Sequence, residues 1–173
     1  MSGIQIAQVV NANIYLNGKN LLGRAAEVKL PEISAAMKEH SVLGLVGKYE
    51  LPVGFEKMEG EIIWNSFYPD VLQMQGDIFS AWSLQCRSSR EGFNSQGRYE
   101  QLALVTFLTV HFKGTPLGEF KQHENVSLTS KFACSYVKQV VNGQEVFELD
   151  VLANIYRAGG QDLLSQYRAN IGG

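Results

Sequence analysis

Apolar and polar residues alternate with a period of two along the second half of the chain. From 126 to 141 the even positions are mostly apolar, with Lys138 as the clear exception, and the odd positions are largely polar. This pattern predicts a long strand with one buried face and one solvated face. Asn142-Gly143 follows, a pair that accepts the positive φ angles of a type I′ turn, and alternation resumes from 144 to about 155. We therefore predict a long, two-faced hairpin.

Shorter strands and two short helices are predicted elsewhere in the chain. Asn17-Gly18 marks a second hairpin turn, preceded by a strand over 13–16 and followed by one from about 21 to 30. Pro69 suits the first turn of a short helix, because proline lacks the N–H that a first-turn residue leaves unpaired. The spacing of apolar residues over 162–169 predicts a second helix. Further strands are predicted over 55–65, 79–87 and 102–113.

Three segments lack a clear strand pattern. The residues of 31–40 fit both helical and strand spacing, and their content of Ala, Met, Lys and Glu favours a helix. The segment 44–54 contains three glycines and a proline, and 87–97 is rich in Ser, Asn, Gly and Arg, so both are predicted as long loops. Long loops in a compact domain are usually functional or become ordered on a partner.

Length and composition predict one soluble domain, spanning 1–173. The 45% hydrophobic content is enough for a packed core and excludes a disordered chain. Fifteen Lys and Arg oppose 17 Asp and Glu, and the net charge of −2 excludes a protein that grips nucleic acid through a broad basic surface. No apolar run approaches the roughly 20 residues of a membrane span, and the first residues do not resemble a secretion signal. We expect no association with a membrane.

Candidate catalytic and metal-binding residues do not combine into a recognisable site. His40, His111 and His123 are widely separated, and none has a second ligand at the spacing that metal sites use. Cys86 and Cys134 lie in strand-like segments and are expected to be buried, reduced thiols. The chain has no GxSxG motif, and the glycine-containing segment 114–118 lacks the ending of a phosphate-binding loop and is interpreted as a turn.

Two pairs of carboxylates have a spacing similar to that of a glycosidase pair. Glu59 with Glu61, and Glu148 with Asp150, are each two residues apart on a predicted strand, which is about 7 Å in an extended chain. Such pairs usually belong to a solvated strand face, and the sequence supplies no apolar surroundings that would raise a carboxyl pKa. We therefore predict no catalytic, cofactor-binding or metal-binding residues, and no enzyme.

The predicted elements are typical of a subunit that assembles with copies of itself. Long two-faced strands, long loops and a terminal amphipathic helix leave much surface for other subunits, and strand edges can pair between copies. The alternative from a different class is a closed, lipocalin-like barrel that holds a small apolar ligand. The polar face of 127–139 argues against this barrel, because its interior would have to be apolar.

Several short motifs follow one another in order over nearly the whole chain. The first is Asn13-Ile14-Tyr15-Leu16-Asn17-Gly18, and the second is Glu27-Val28-Lys29-Leu30-Pro31. Toward the end of the chain come Asn142-Gly143-Gln144-Glu145, Glu148-Leu149-Asp150 with Asn154-Ile155, and the segment 162–172. In their order and spacing they resemble the major tail tube protein of contractile-tailed bacteriophages and R-type pyocins. The segment from about 70 to 100 matches least.

The resemblance implies a mainly β subunit, sandwich-like or barrel-like with one or two short helices, whose long two-faced hairpins complete a barrel between subunits. It implies a structural protein that forms homohexameric rings stacked into the inner tube of a contractile tail, a conduit for genome ejection. The hairpin of 126–155 would line the lumen with a polar face, for which the candidates are Ser127, Thr129, Lys131, Ser135 and Gln139. The segment 30–54 would be extended rather than helical. It would contact other subunits or rings through Leu30, Pro31, Ile33, Met37, Leu43, Leu45 and Tyr49.

The implied partners are copies of the same chain, the tail sheath protein, and the baseplate and tail terminator proteins. DNA would pass through the lumen without specific binding, and no cofactor is expected. The protein would belong to the virion tail and be assembled in the cytoplasm of the host bacterium. Within the same architecture, the alternative is the tube of a pyocin-like or type VI secretion-like particle that carries no genome.

Overall fold

The computed structural model describes residues 3–173, and this part of the chain is built mainly from antiparallel β-strands. Helix α1 (Pro69–Gly76) lies between β6 and β7, and helix α2 (Ser165–Ile171) lies near the C-terminus. These elements confirm the mainly β class with two short helices. The strands are β1 (Ile6–Leu16), β2 (Lys19–Asn20), β3 (Ala25–Lys29), β4 (Ala35–His40), β5 (Tyr49–Phe55), β6 (Met58–Trp64), β7 (Trp82–Asn94), β8 (Gly97–Phe112), β9 (Leu128–Val141), β10 (Gln144–Asp150), β11 (Ile155–Ala158) and β12 (Gln161–Asp162).

Most strands belong to one sheet that branches at β9. Its order is β12-β11-β10-β9-β8-β7-β1-β2, and β6 pairs with both β9 and β3. One edge of β9 pairs with β8. Along the other edge, β6 pairs with β9 from Leu128 to Cys134, and β10 pairs with it from Tyr136 to Val141. Strand β9 is therefore the element that joins the two parts of the sheet.

A β-bulge interrupts β9 where its two partners meet. Thr109 pairs with Tyr136 and Val110 pairs with Cys134, so Ser135 is an extra residue in the strand. An extra residue moves the following side chains to the opposite face. Cys134 before the bulge and Val137 after it are consequently both buried. The prediction of one unbroken alternation over 126–141 is wrong beyond Cys134 for this reason.

The core lies on the inner face of the sheet and is filled by large side chains. Trp64, Phe112 and Phe132 are almost completely buried. The indole N–H of Trp64 donates to the Ser130 hydroxyl oxygen over 2.8 Å, which satisfies both polar groups within the apolar interior. Helix α1 starts at Pro69, as predicted, and packs against this core through its apolar residues.

Strands β4 and β5 form a separate two-stranded hairpin, which we call the arm (residues 35–55). Among residues 3–173 they pair only with each other. The arm is fixed at its base, where the Glu56 N–H donates to the Ser34 carbonyl over 2.8 Å and the Phe55 ring packs edge to face on Tyr156 at 4.8 Å. The extended conformation implied by the resemblance is confirmed for 35–40, and the helix favoured by composition is wrong, because cross-strand pairing overrides helix propensity.

The polar segments were the least predictable parts of the fold. Strands β7 and β8 pair as far as Asn94 and Gly97, so the loop predicted over 87–97 is wrong except at its turn. Pro52 and Gly54 lie in β5 (Tyr49–Phe55), so the loop predicted over 44–54 is wrong for the residues from 49 onward. A two-stranded hairpin tolerates this proline, because each of its strands has one edge without a partner.

The NG turns formed as predicted, but the strand after the second of them is shorter than expected. Asn142 and Gly143 have φ angles of 49° and 79°, as a type I′ turn requires. Strand β10 ends at Asp150, whose carboxylate accepts backbone N–H groups from Leu152 and Ala153 at 3.1 and 3.0 Å. These bonds stabilise a turn over 151–154, so the prediction of a continuous strand to 155 is wrong.

Candidate assembly surfaces

The arm exposes several apolar side chains. At its tip, Leu43 and Val46 are completely exposed, and Val42 and Leu45 are more than half exposed. Along its strands, Met37 and Tyr49 are also exposed. A group of apolar residues in water, on an element with no other partner within residues 3–173, is typical of a surface that another molecule covers.

The predicted contact residues all lie on the arm or at its root. Leu30 and Pro31 precede the arm, and Ile33 packs against the core at its base. Met37 lies in β4, Tyr49 in β5, and Leu43 and Leu45 at the tip. The prediction missed Val42 and Val46, although the sequence Val-Leu-Gly-Leu-Val, with so many apolar residues in a turn, was a signal that could have identified them.

Open strand edges form a second surface suited to assembly. Strand β2 pairs with β1 only at Tyr15 and Leu16, so the β1 edge from Ile6 to Ala12 has no strand beside it within the described residues. Ile6, Val9 and Val10 of this segment are exposed. An edge of this kind offers unpaired backbone N–H and C=O groups to a strand of another chain.

The outer face of the sheet, opposite the core on β7 to β10, carries most of the residues predicted to line a lumen. Thr129 and Lys131 are exposed on this face, and Ser127 is exposed just before β9. Ser135 is half-buried at the bulge. Gln139 lies on the inner face, where its amide donates to the Thr106 hydroxyl oxygen over 3.2 Å. The prediction that all five share one face is therefore wrong for Gln139, because the bulge reverses its direction.

Most charges on the outer face are paired with one another. Arg157 lies 3.0 Å from Glu148, Arg98 lies 2.9 Å from Glu91, and Lys138 lies 3.4 Å from Glu145. The sequence prediction missed these pairs, which depend on strand register; Arg157 and Glu148, for example, lie directly opposite each other on β11 and β10.

Two aromatic residues add to the polar network of this face. The Tyr136 hydroxyl donates to the Glu148 carboxylate over 2.8 Å, and burial together with this carboxylate raises the tyrosine pKa. The guanidinium of Arg87 stacks over the ring of Tyr15 at 4.6 Å. The outer face is therefore polar, and several of its charges neutralise one another.

The candidate catalytic residues Glu59, His40, His111 and His123 lie on different elements of the fold. Hydrogen bonds from Lys113 and then Lys57 lower the pKa of Glu59, whereas a general acid needs a raised pKa. His40 lies on the arm, His111 on β8 and His123 in the loop before β9. Within residues 3–173, no group of three His, Cys, Asp or Glu side chains could hold a metal ion.

Both cysteines are buried, unpaired thiols. Burial raises the pKa of each to about 11, so neither is a thiolate nucleophile at neutral pH. The helices of the described chain are too short or too polar to cross a bilayer.

A groove of about 670 Å³ lies between the base of the arm, the 151–154 turn and helix α2. The base of the arm contributes Pro52, Val53 and Phe55 to its wall. Tyr156 and the α2 residue Tyr167 also border it. The lining is mainly apolar, with Asp150 its one charged residue.

The chain is similar in sequence and in fold to known proteins. A family model described as phage tail tube protein FII matches residues 6–172. The tail tube protein of Escherichia phage P2 is 24% identical over 163 residues, which cover 92% of this chain and 94% of that protein. A chain from the cryo-EM structure of an extracellular contractile injection system, the PVC sheath–tube complex in its extended state, has a similar fold. The TM-score is 0.54 at 12% identity, over 75% of this chain and 87% of the other.

Proposed function

The chain belongs to the phage tail tube protein FII family, and from this membership we propose that its copies form homohexameric rings that stack into the inner tube of a contractile tail. Membership of the family makes it a structural protein of a tail tube. Its location is accordingly the virion tail. We propose, beyond this, the number of subunits in a ring, the contacts between rings and the cargo of the tube.

The arm is the observation that carries the assembly proposal. It is a hairpin whose strands pair only with each other in the described part of the chain, and its apolar tip is exposed there. Burying such side chains against another subunit stabilises an oligomer by about 1.5–3 kcal/mol for each Leu or Val before the cost of ordering is subtracted. We therefore assign contacts between subunits or rings to Leu30, Pro31, Ile33, Met37, Leu43, Leu45 and Tyr49.

The outer face of the sheet is the proposed lining of the lumen, with Ser127, Thr129, Lys131 and Ser135 as its polar residues. A conduit for DNA must let a polyanion slide without retaining it, and every phosphate neutralised by a free cation adds affinity through counterion release. The ion pairs of Arg157 with Glu148 and of Arg98 with Glu91 leave those cations already neutralised. This supports passage of a genome without specific binding.

Residues 1–173 act as one tail tube domain, without a cofactor and without enzymatic activity. The tube is surrounded by a sheath protein and ends at baseplate and terminator proteins, and it is assembled in the cytoplasm of the host bacterium. A tube that serves a particle without a genome remains the second candidate, because the same subunit surfaces would build it.

Electron microscopy of the purified protein tests the assembly proposal. Hollow tubes or stacked rings are the expected result, and native mass spectrometry of the rings should count six copies. A monodisperse monomer at high protein concentration would contradict tube formation. A different copy number would overturn only the hexamer. The DNA content of intact particles distinguishes the two candidates. Particles that contain DNA support a genome conduit, whereas particles of normal length without DNA support the genome-free tube.

A further inference from the structure

The tip of the arm has the composition of an inserting element. Residues 41–47 contain no charged side chain, and Leu43 and Leu45 flank Gly44, whose φ of 89° turns the chain between them. Leu43 and Val46 have relative exposures of 104% and 109%, so neither is covered by the rest of its own chain. Insertion of this tip into an apolar recess would bury no charge and would remove four large apolar side chains from water.

The groove beside helix α2 has the chemistry to receive such a tip. Val53, Val151 and Leu164 lie in its lining, together with two tyrosine rings. Its one charged residue is Asp150, and the carboxylate of Asp150 already accepts two backbone N–H groups from the 151–154 turn. Both N–H groups bond the Oδ1 atom of Asp150, so an occupant need not supply a donor to that oxygen. The mainly apolar lining thus favours an uncharged, apolar segment.

The tip cannot occupy the groove of its own chain. The groove is bordered by the base of the arm, and the tip lies at the far end of the six-residue strand β4. Six paired residues span roughly 20 Å at the usual rise of a strand. The antiparallel pairing of β4 with β5 from Ala35 to His40 keeps the hairpin extended over this distance. The two surfaces can therefore meet only between different copies.

From these observations we propose that the arm tip of one subunit, residues 42–46, inserts into the groove of a neighbouring copy. This proposal rests on the tube function above and names one of its contacts. The tip and the groove are different surfaces of one chain, so each subunit gives its tip to one neighbour and receives a tip from another. A head-to-tail contact of this kind continues from subunit to subunit and generates closed rings or stacks, whereas a two-fold contact stops at a dimer.

Cysteine cross-linking of the purified, assembled protein tests this contact. The native thiols, Cys86 and Cys134, are buried and do not compete. Oxidation of the Leu43→Cys/Val151→Cys variant should produce a ladder of dimers, trimers and higher species on a non-reducing denaturing gel. The matched control is Leu43→Cys/Leu117→Cys, because Leu117 is 77% exposed but lies outside the groove. This control should give no ladder.

The outcomes separate the tip contact from the tube itself. Tubes in the microscope without a ladder from Leu43→Cys/Val151→Cys would overturn the proposed contact and leave the tube function intact. A ladder from the control pair alone would show that the tip has another receptor, and would also overturn the contact. A protein that forms no tubes would contradict the tube function, whatever the gels show.

A mixture of single variants keeps the test valid if the double variant fails to fold. Leu43→Cys and Val151→Cys protein, mixed in equal amounts before assembly, should yield cross-linked dimers that neither variant forms alone. Each subunit in this mixture keeps one unaltered surface. Absence of these dimers would overturn the contact.

Discussion

Some positions in the core leave no space for a larger side chain. Gly60 in β6 is the tightest case, because a Cβ atom there would lie 2.5 Å from the Lys29 carbonyl oxygen and 2.5 Å from the Phe132 ring. The backbones of β3 and β6 and a buried aromatic ring converge at this point. Gly60 is therefore required by packing, and not by an unusual backbone conformation.

We predict that Gly60→Ala destabilises the subunit by about 1–3 kcal/mol, the usual cost of overpacking a core. The free energy of unfolding in urea, determined on unassembled protein, measures the effect. Gly114→Ala is the matched control, because a Cβ there meets nothing within 4 Å. It should change the unfolding free energy by less than about 0.5 kcal/mol. Equal effects of the two substitutions would contradict the packing explanation.

Asp70 is the residue whose charge is most clearly tied to the fold. Lys19 and Arg24 both donate hydrogen bonds to its carboxylate, which connects α1 to the segment between β1 and β3. These bonds, with that of Lys19 the larger influence, lower its pKa from 3.8 to about 2. A carboxyl group whose pKa is lower in the folded state stabilises the fold above its unfolded pKa, and this stabilisation is lost as the pH falls through the folded value.

Asp70→Asn should therefore lower the unfolding free energy at pH 7 by up to about 1 kcal/mol, a limit set by the partial exposure of the ion pairs. The difference from the unmodified protein should shrink between pH 4 and pH 2, where Asp70 itself becomes protonated. Urea unfolding at a series of pH values measures it. Glu124→Gln, in the exposed loop before β9, serves as the control. A difference that does not vary with pH would exclude the ionic explanation.

Among the elements, the arm is one that contributes little to the core of an isolated subunit. It contributes no fully buried side chain to the core, and within 3–173 its strands have no partner in the main sheet. Its conformation is nevertheless extended over both strands because each supplies the hydrogen bonds of the other. The arm is therefore an element that folds with the subunit but acts between subunits.

We predict that Leu43→Asp with Val46→Asp abolishes tube formation and leaves the fold of the subunit intact. Both side chains are completely exposed in the isolated chain, so the unfolding free energy of the unassembled protein should change by less than about 0.5 kcal/mol. Sedimentation and electron microscopy report the loss of assembly. Leu43→Met with Val46→Ile keeps the surface apolar and should still assemble. Normal tubes from the aspartate variant would remove the arm from the interface.

At the scale of the whole molecule, the sheet separates two chemically different surfaces. Its inner face is filled by apolar side chains, and its outer face carries paired charges and hydroxyl groups. Exposed apolar side chains occur on the arm and on the open edge of β1, among other places. A tube subunit needs this division, because apolar regions must hold neighbours while the polar face stays in contact with water.

Ser127→Arg with Thr129→Arg should obstruct DNA passage if the outer face lines the lumen. Both positions are exposed, so the rings should still assemble, while repeated unpaired cations along the tube would bind phosphate. Infectivity of particles that carry the variant should fall, with tubes of normal appearance. The charge-free control is Ser127→Gln with Thr129→Gln. Normal infectivity of the arginine variant would remove this face from the lumen.

Several elements were determined by the sequence alone because short-range chemistry is sufficient for them. The positive φ angles that Asn and Gly accept placed the turns at Asn17-Gly18 and Asn142-Gly143. Proline at the first helical position located α1, and the residue types of 55–65 predicted the strand that β6 forms. The motif resemblance identified the family and the extended form of the arm, although composition favoured a helix there.

Tertiary structure decided the features that depend on a distant partner strand. The polar segment 87–97 became strand because β8 supplies its hydrogen bonds, and the bulge at Ser135 arose where β6 and β10 meet along β9. That bulge turned the Gln139 side chain inward, and no local sequence pattern predicted the bulge. The groove joins residues from the arm, the 151–154 turn and α2, so its existence follows from packing over long sequence distances. Local preferences determine turns and faces, whereas pairing between strands determines which faces meet.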